Sequence, residues 1–318
     1  MTAVAMQTAP GAAAVRMLRG FPDLAAAARR DADPPWLASL RDAGARRFAE
    51  VGLPGPKDEE WRFTPLQGLG SSAFRIPTSR AAHPGADIAP FLIDAGFNRL
   101  VFVDGRRDES FSRQGGMPEG VVCASLHSSI ANGDRWLPEA LGRVAPIETS
   151  PFVALNAALL ADGVVLRIPD GIEIDTPVHV INVMSAAGSG AIVAPRMLIE
   201  LGEGARATVL ETFAGADGAA GYFVDSCTEI MLGAGARLEH VRIQREGPTG
   251  WHVGRTAVRH GEASHFRSVT LALGARLSRH DLDARLDAPE IETLLYGLYL
   301  GQGEQLVDNH TTIRHDHP

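Results

Sequence analysis

The sequence contains 318 residues, of which 45% are hydrophobic, and its formal net charge is −8. A chain of this length can bury a sizeable core, and its acidic balance argues against nucleic-acid binding, which needs a concentrated basic face. Two cysteines, Cys123 and Cys227, are too few for a disulfide framework and favour a reducing compartment. The sequence has no apolar run that could span a bilayer and no signal-peptide pattern at its start. We therefore expect a cytoplasmic protein without membrane or nucleic-acid partners.

The N-terminal part of the chain is predicted to be helical. Residues Leu24 to Arg30 are rich in alanine, and Pro35-Trp-Leu-Ala-Ser-Leu-Arg opens a second helix with proline in its first turn. That helix is expected to end at Gly52-Leu-Pro-Gly-Pro. We assign residues 1–70 to this N-terminal helical region.

Residues 71–150 are predicted to form a mixed α/β connecting region. Its short strands include Arg99-Leu-Val-Phe-Val, which is followed by a hairpin-type turn at Asp104-Gly. A further helix is expected from Pro151 to Ala161, because Ser150 is a favourable N-cap.

From Val164 onward short strands replace the helices, and we assign residues 151–318 to the core of a right-handed parallel β-helix. Several runs alternate apolar with polar residues, which places one face inward and the other in water. These runs are Val178-His-Val-Ile-Asn-Val-Met, Arg196-Met-Leu-Ile-Glu-Leu, Ala207-Thr-Val-Leu-Glu-Thr-Phe and Leu238-Glu-His-Val-Arg-Ile. Each unit is too small to bury its inward face alone, so the units must stack.

Glycine-containing turns recur between the strand-like runs. Each turn follows the end of one strand and needs a residue with positive φ before the next strand begins. The turns lie at Ile168-Pro-Asp-Gly, Leu201-Gly-Glu-Gly, Leu232-Gly-Ala-Gly, Arg259-His-Gly-Glu and Leu300-Gly-Gln-Gly. Their separation of roughly thirty residues is within the range of solenoid repeats. The pattern therefore predicts a mainly β protein in which the chain coils as a solenoid.

Histidine is concentrated late in the chain, with eight of the eleven histidines from His240 onward. Imidazole is a good ligand for Fe, Zn and Cu. The candidate metal ligands are His310, His315, His317 and Cys227, the last as a sulfur or iron ligand inside the solenoid. Their spacing matches no short metal-binding motif. The alternative is therefore that the histidines are solvated or cap strands and that the cysteine is a small core residue.

Acidic residues suggest no clear catalytic pair. Glu203, Asp281, Asp283 and Asp287 qualify by type for the paired carboxylates of a hydrolase or lyase, but their spacing singles out no pair. The sequence also has no P-loop, no G-x-G-x-x-G after a strand and no G-x-S-x-G elbow. Nucleotide use and acyl transfer are therefore not expected.

Two long motifs, one near each end, carry a family resemblance. Lys57-Asp-Glu-Glu-Trp-Arg-Phe-Thr-Pro-Leu resembles the N-terminal signature of the SufD proteins of iron–sulfur cluster assembly. Leu306-Val-Asp-Asn-His-Thr-Thr-Ile-Arg-His-Asp-His-Pro resembles a late β-helix segment of the same family. In the first motif, we expect Trp61 and Phe63 to anchor the helical region onto the solenoid, as large aromatic side chains often do.

The resemblance implies a scaffold subunit and not a stand-alone enzyme. SufD-like proteins pair through their β-helices with the homologous SufB and bind the SufC ATPase, and nascent Fe–S clusters are built on the complex. The resemblance thus implies no catalytic and no cofactor-binding residue in this chain, and only transient contact with a cluster. A homodimer through the β-helix edge that would pair with SufB is a further expectation. Family members continue past the equivalent of Pro318 to a Cys-x-His-Gly-Ala motif and a C-terminal helical domain, so the C-terminal part of the β-helix and most of the SufC contact are expected to be missing here.

Two readings from other functional classes remain open. A polysaccharide lyase of the pectate-lyase type would share the stacked turns but should be secreted and should carry a groove of Asp, Lys and Arg; Lys57 is the only lysine here. The other alternative is a β-helix interaction module that has no link to metal.

Overall fold

The structure is a computed structural model that describes residues 17–77, 88–93 and 96–317. Its α-helices are α1 (Phe21–Ala28), α2 (Pro35–Val51), α3 (Gln67–Ser71), α4 (Leu126–Ala131), α5 (Leu137–Ala140) and α6 (Pro151–Leu159). The early strands are β1 (Asn98–Val103), β2 (Arg106–Arg107), β3 (Val122–Ser125), β4 (Gly163–Ile168), β5 (Val178–Met184), β6 (Ile192–Val193) and β7 (Arg196–Leu201). The later strands are β8 (Arg206–Gly215), β9 (Phe223–Leu232), β10 (Arg237–Arg245), β11 (Trp251–Arg259), β12 (His265–Ala272), β13 (Leu277–Leu286), β14 (Glu292–Tyr299) and β15 (Leu306–His315).

The strands form two sheets that enclose a lumen. Sheet 1 has the order β14-β12-β10-β8-β5-β1-β2, and sheet 2 has the order β15-β13-β11-β9-β7-β4-β3, with β6 beside β9. From β8 onward, successive strands alternate between the sheets, and each strand pairs in parallel with the strand two positions later. The prediction of a mainly β protein with a stacked parallel solenoid is therefore confirmed, and the solenoid has about five turns.

The turns that join sheet 2 to sheet 1 stack on one another as the glycine pattern predicts. Gly171, Gly204 and Gly235 have φ values of 68°, 65° and 63°. Each of these residues also donates its backbone N–H to the next turn: Gly171 to Glu203 O at 2.7 Å, Gly204 to Ala234 O at 2.8 Å and Gly235 to Glu262 O at 2.8 Å. The hydrogen-bond ladder of the sheets therefore continues through the corners.

Two details of the glycine prediction are wrong. In the turn after β11 the left-handed residue is Ala263, with φ 52°, and not Gly261. Gly261 is required for close packing instead, because a Cβ there would lie 2.9 Å from the carbonyl oxygen of Leu232. The turn at Gly303 joins β14 to β15 and so belongs to the opposite corner. The fifth member of the predicted stack is a turn without glycine, in which Glu290 has φ 59°.

Helices cover the outer face of sheet 2. Helix α6 begins as predicted at Ser150, whose Oγ accepts a hydrogen bond from the backbone N–H of Phe152 at 3.2 Å. Helix α2 begins at Pro35, also as predicted, and packs on α6. Gly44 permits this approach, because a Cβ there would lie 2.7 Å from the carbonyl oxygen of Ala154. Among the described residues, none of the helices has the length and apolar character needed to cross a membrane.

The predicted Asp104-Gly105 turn is also present. Strands β1 and β2 pair in antiparallel fashion, and the two turn residues have φ values of 50° and 75°. The Asp104 carboxylate accepts hydrogen bonds from the backbone N–H and the hydroxyl of Ser185, at 2.8 and 2.7 Å. The hairpin is thereby fixed to the end of β5.

The lumen is apolar near the stacked turns. Its side chains there include Val180, Ile199, Val209, Ile230, Leu238, Val258, Phe266 and Leu282, all of them buried. Burial of these side chains supplies the main stabilisation that a stacked array needs. Further along the strands the lumen becomes polar.

Candidate functional site

Cys227 and His310 lie on the outer face of sheet 2, in one row that crosses β9, β11, β13 and β15. The row consists of Cys227, Arg255, Asp281 and His310. Three strand spacings separate the cysteine from the histidine, which is roughly 14 Å. This distance is too long for both side chains to bind one metal ion directly.

Cys227 faces helix α6 and not the lumen. Its side chain is buried against Ala145, Val153 and Ala257. Burial raises the pKa of the Cys227 thiol to about 12, although Arg196 opposes the shift. The sulfur is therefore a protonated thiol at neutral pH, the form that is a poor nucleophile and a poor metal ligand.

The three late histidines lie in β15 or just after it and do not converge. The Nε2 atom of His310 lies 3.9 Å from Oε1 of Glu60. His315 is the last residue of β15, and His317 lies beyond the strand; both are exposed. In the part of the chain that the structure describes, no group of three or more His, Cys, Asp or Glu residues has a metal-binding arrangement.

Trp61 anchors the N-terminal region to the solenoid, as predicted. The ring is buried, stacks on Phe152 with centroids 5.1 Å apart, and lies 3.7 Å from the guanidinium carbon of Arg279. The same guanidinium donates hydrogen bonds to the carbonyl oxygen of Glu60 at 2.7 Å and to Asp308 at 2.6 Å. The segment around Trp61 is therefore held by strands β13 and β15.

The prediction that Phe63 shares this role is wrong. Phe63 is 82% exposed, and its only described aromatic or cationic contact is with the guanidinium of Arg62, 5.4 Å from its ring. A 3₁₀ turn at Glu59–Trp61 directs Trp61 inward, and Thr64 then binds Asp308. Phe63 lies between these two inward contacts and points to solvent.

A polar cluster inside the lumen was not found from the sequence. This lumen cluster consists of side chains that are at most 5% exposed: Glu211, His240, Arg242, Glu246, His252 and His280. They come from four strands or their ends: β8 and β10 of sheet 1, and β11 and β13 of sheet 2. Buried charges in such a place must be paired or hydrogen-bonded.

One side of the lumen cluster is centred on Glu211. Its carboxylate accepts a hydrogen bond from the Thr228 hydroxyl at 3.1 Å, and Nε2 of His240 lies 3.3 Å away. Burial opposes ionisation of this carboxyl, but His240, Arg242 and Thr228 outweigh it, so the pKa of Glu211 lies below its ordinary value. Glu211 is therefore a buried carboxylate at neutral pH.

The other side is centred on His252. Its Nε2 lies 2.5 Å from Nη2 of Arg242, and its Nδ1 lies 2.7 Å from Oε2 of Glu246. A guanidinium can only donate, so Nε2 must accept and the proton must sit on Nδ1. Burial lowers the pKa of His252 from its ordinary value, with Glu246 opposing the shift. His252 is thus a neutral imidazole with a fixed tautomer.

Gly254 makes the space for Arg242. A Cβ on this residue of β11 would lie 2.8 Å from Nη2 of Arg242 and 2.8 Å from the hydroxyl of Ser226. The guanidinium also lies over the ring of Phe213, 5.1 Å from its centroid. A glycine inside a strand often marks such a close approach, and this was the one signal in the sequence that could have suggested a lumen contact.

A second ionic cluster lies under α6, on the outer face of sheet 2. Arg196 and Glu229 are fully buried, and Nε and Nη2 of the arginine lie 3.0 and 2.7 Å from Oε1 of the glutamate. The Glu229 carboxylate also accepts three backbone N–H groups at 2.9 Å, from Gly142, Val144 and Ala145. This cluster attaches the loop before α6 to the sheet, which is a structural role.

The outer face of sheet 1 carries apolar rows. Parallel register aligns Val241, Val269 and Tyr296 in one row, and Ile243, Leu271 and Leu298 in the next. Tyr296 and Leu298 are 52% and 60% exposed. Because parallel sheets are normally covered on both faces, a partly exposed apolar face is a candidate interaction surface.

Comparison with known proteins gives matches over nearly the whole chain. Residues 24–180 match the family described as SufBD protein N-terminal region, and residues 182–318 match the SufBD core domain of SUF system FeS cluster assembly. An iron–sulfur cluster assembly SufBD family protein of Synechocystis is 29% identical over 89% of this chain and 64% of its own length.

Two further relatives have lower identity. The iron–sulfur cluster assembly protein SufD of Escherichia coli is 26% identical over 85% of this chain and 61% of its own length. The chloroplastic protein ABCI7 of Arabidopsis thaliana is 24% identical over 89% of this chain and 60% of its own length. The chain therefore spans about three fifths of the length of these relatives.

Proposed function

The chain belongs to the SufB/SufD superfamily of the SUF system, and from this membership we propose that it is a non-catalytic scaffold subunit of the iron–sulfur cluster assembly complex. In this proposal it pairs with a SufB homologue through its solenoid, and the full-length protein also binds the SufC ATPase. The observation that carries the proposal is the succession of the two SufBD family matches across residues 24–318.

The surface that supports pairing is the outer face of sheet 1. Val241, Val269 and Tyr296 align in one row there, and Ile243, Leu271 and Leu298 align in the next. Tyr296 and Leu298 are 52% and 60% exposed. Burial of a partly exposed apolar sheet face by a partner is favourable. We propose that the partner covers this surface.

In this proposal the cluster is cargo and not a resident cofactor. Cys227 supports this view, because its thiol is buried and protonated, and His310 lies about 14 Å away from it. Any contact of the cluster with His310, His315 or His317 would then be transient and would occur at the partner interface. We place the subunit in the cytoplasm because both cysteines, Cys123 and Cys227, are free.

The test is an anaerobic co-expression pull-down of the tagged chain with SufB and SufC homologues of the same organism. Mass spectrometry of the eluate and assays of iron and sulfide give the readout. We expect recovery of SufB with the wild type, and loss of SufB with the double variant Tyr296→Asp and Leu298→Asp. Phe63→Asp is the control for one of the two added charges, because Phe63 is an exposed aromatic residue in the segment that packs on sheet 2.

Two results would contradict the proposal. One is failure of the wild type to recover SufB although a full-length homologue does so in the same assay. The other is equal recovery of SufB by the wild type and the double variant, which would remove the outer face of sheet 1 from the interface. Weak SufC recovery is expected, since the proposal assigns SufC binding to the full-length protein.

A further inference from the structure

The lumen cluster contains one arginine and three histidines but only two carboxylates, so its possible positive charges outnumber its negative charges. We propose that it is an acid-sensitive switch, which loosens the solenoid turns built from β10 to β13 when more than one of its imidazoles is protonated. The inference concerns the chain itself and does not depend on the proposed partner.

A charge count gives the first argument. Glu211 and Glu246 supply two carboxylates, and Arg242 supplies one cation, so a single imidazolium makes the lumen cluster neutral. The Nε2 atom of His240 lies 3.3 Å from the Glu211 carboxylate. A second imidazolium would leave an unbalanced positive charge in a region without solvent, which is strongly unfavourable.

The hydrogen bonds of His252 give the second argument. In the neutral form its Nε2 accepts from Arg242 at 2.5 Å, while the protonated Nδ1 lies 2.7 Å from Oε2 of Glu246. Protonation would place an N–H on Nε2, directly opposite a guanidinium N–H. Two donors cannot share that contact, so protonation of His252 must displace either the ring or Arg242.

The surroundings of His280 give the third argument. Its Nε2 lies 3.0 Å from the Thr256 hydroxyl on β11. The charged or titratable groups that act on it come from β10 and β11: Arg242, His240, His252 and Arg255. Its lateral neighbour on β15 is the uncharged Asn309. Each acting group is a cation or can become one, so an imidazolium here has no counter-charge.

The pKa directions of His280 and His252 determine how folding stability changes with pH. Burial, with help from the surrounding cations, holds the pKa of His280 well below its ordinary value, and burial lowers that of His252. In the unfolded chain both histidines titrate at about 6.5. Folding stability from these neutral imidazoles is therefore complete above that pH and is lost as the pH falls through about 6.5.

The expected size can be stated for one imidazole. A histidine that stays neutral in the folded state and titrates near 6.5 when unfolded raises the unfolding equilibrium constant about tenfold between pH 7.5 and 5.5. A buried carboxyl group with a raised pKa has the opposite effect, because it stabilises the folded chain as the pH falls. Asp225 is such a group, since burial raises its pKa despite the nearby Arg196. The experiment therefore compares variants and does not rely on the wild type alone.

The test is urea unfolding of the complete chain at pH 7.5, 6.5 and 5.5, for the wild type, His280→Gln and the control His315→Gln. Glutamine is neutral and can replace the hydrogen bond to Thr256. Between pH 7.5 and pH 5.5, the rise in the unfolding equilibrium constant should be about tenfold smaller for His280→Gln than for the wild type. For His315→Gln the rise should equal that of the wild type. Parallel pH profiles for His280→Gln and the wild type would overturn the proposal.

Hydrogen exchange on the wild type gives a second measurement that does not depend on the variant folding. After correction for the intrinsic pH dependence of exchange, amides of β10 to β13 should lose protection at pH 5.5, whereas amides of α2 and β4 should keep theirs. Loss of protection spread evenly over the chain, or no loss at all, would contradict a switch located in the lumen.

Discussion

The guanidinium of Arg279 covers the ring of Trp61, with its central carbon 3.7 Å from the ring centroid. Arg279 is also fully buried and contacts Asp281 at 2.8 Å and Asp308 at 2.6 Å. One side chain thus joins the segment after α2 to two strands near the end of the solenoid. Arginine suits this role because its planar group can stack and donate several hydrogen bonds at once.

Arg279→Lys should therefore destabilise the chain although it preserves the charge. An ammonium cannot stack on Trp61 and also reach both carboxylates, so buried acceptors lose partners, at a cost of about 2–4 kcal/mol in the free energy of unfolding. Arg285→Lys is the control, since Arg285 makes an exposed contact with Asp316 at 3.5 Å that should contribute about 0–1 kcal/mol. Urea unfolding distinguishes the two variants, and equal losses in the free energy of unfolding would mean that the contacts of Arg279 with Trp61, Asp281 and Asp308 together contribute no more than an exposed ion pair.

Glu229→Gln should have a larger effect. The variant leaves the Arg196 guanidinium buried without a counter-charge and turns an amide NH₂ toward groups that donate, so we expect a loss of about 3–5 kcal/mol. Glu200→Gln tests the same substitution at the partly exposed Arg167–Glu200 pair, whose atoms are 2.8 Å apart, and should cost at most about 1 kcal/mol. Thermal unfolding followed by circular dichroism would measure both. The prediction fails if the Gln variants have the same midpoint.

Asp225→Asn should stabilise the chain at neutral pH. Burial raises the pKa of Asp225 well above its ordinary value, and Oδ2 has no hydrogen-bond partner among the described residues. Because the folded-state pKa is above the unfolded-state value, stability is lost as the pH rises through that interval. An amide avoids this loss, so we expect a gain on the order of 1–2 kcal/mol at pH 7.5 that shrinks toward pH 4. A gain that is independent of pH would argue against titration of Asp225.

The coiling of the chain could be predicted from sequence because its signals are local. Gly171, Gly204 and Gly235 adopt the positive φ that their turns require, and the Ser150 cap requires only its neighbours. The turn at Glu290 was missed because stacking on the previous turn holds a non-glycine residue in the same conformation: Ala263 N donates to Pro289 O at 2.9 Å. Tertiary hydrogen bonds replaced the sequence signal there.

The polar lumen could not be predicted because alternation alone does not say which face is inward. In β10, His240, Arg242 and Gln244 face the lumen, while Val241 and Ile243 face outward. The usual expectation that apolar residues point inward gives the opposite assignment for this strand. Only the register with β8 places Arg242 beside Glu211, whose carboxylate in turn contacts Thr228 of β9 in the other sheet. The polar lumen residues of this solenoid are thus those that its hydrophobic pattern conceals.

Gly254→Ala tests whether the lumen cluster depends on the position of Arg242. The added methyl would lie 2.8 Å from Nη2 of Arg242, so the guanidinium must move, and we expect a loss of about 1–3 kcal/mol. Gly297→Ala is the matched control, because Gly297 is also a strand glycine on the lumen side and a Cβ there meets no atom within 4 Å. If Arg242 moves, Nε2 of His252 keeps only the Ser226 hydroxyl, 3.2 Å away, which can accept as well as donate, so the ring can take up a proton. The pH dependence of unfolding should then be weaker in Gly254→Ala than in the wild type, whereas a uniform loss of stability at every pH would show that Arg242 does not control the protonation of His252.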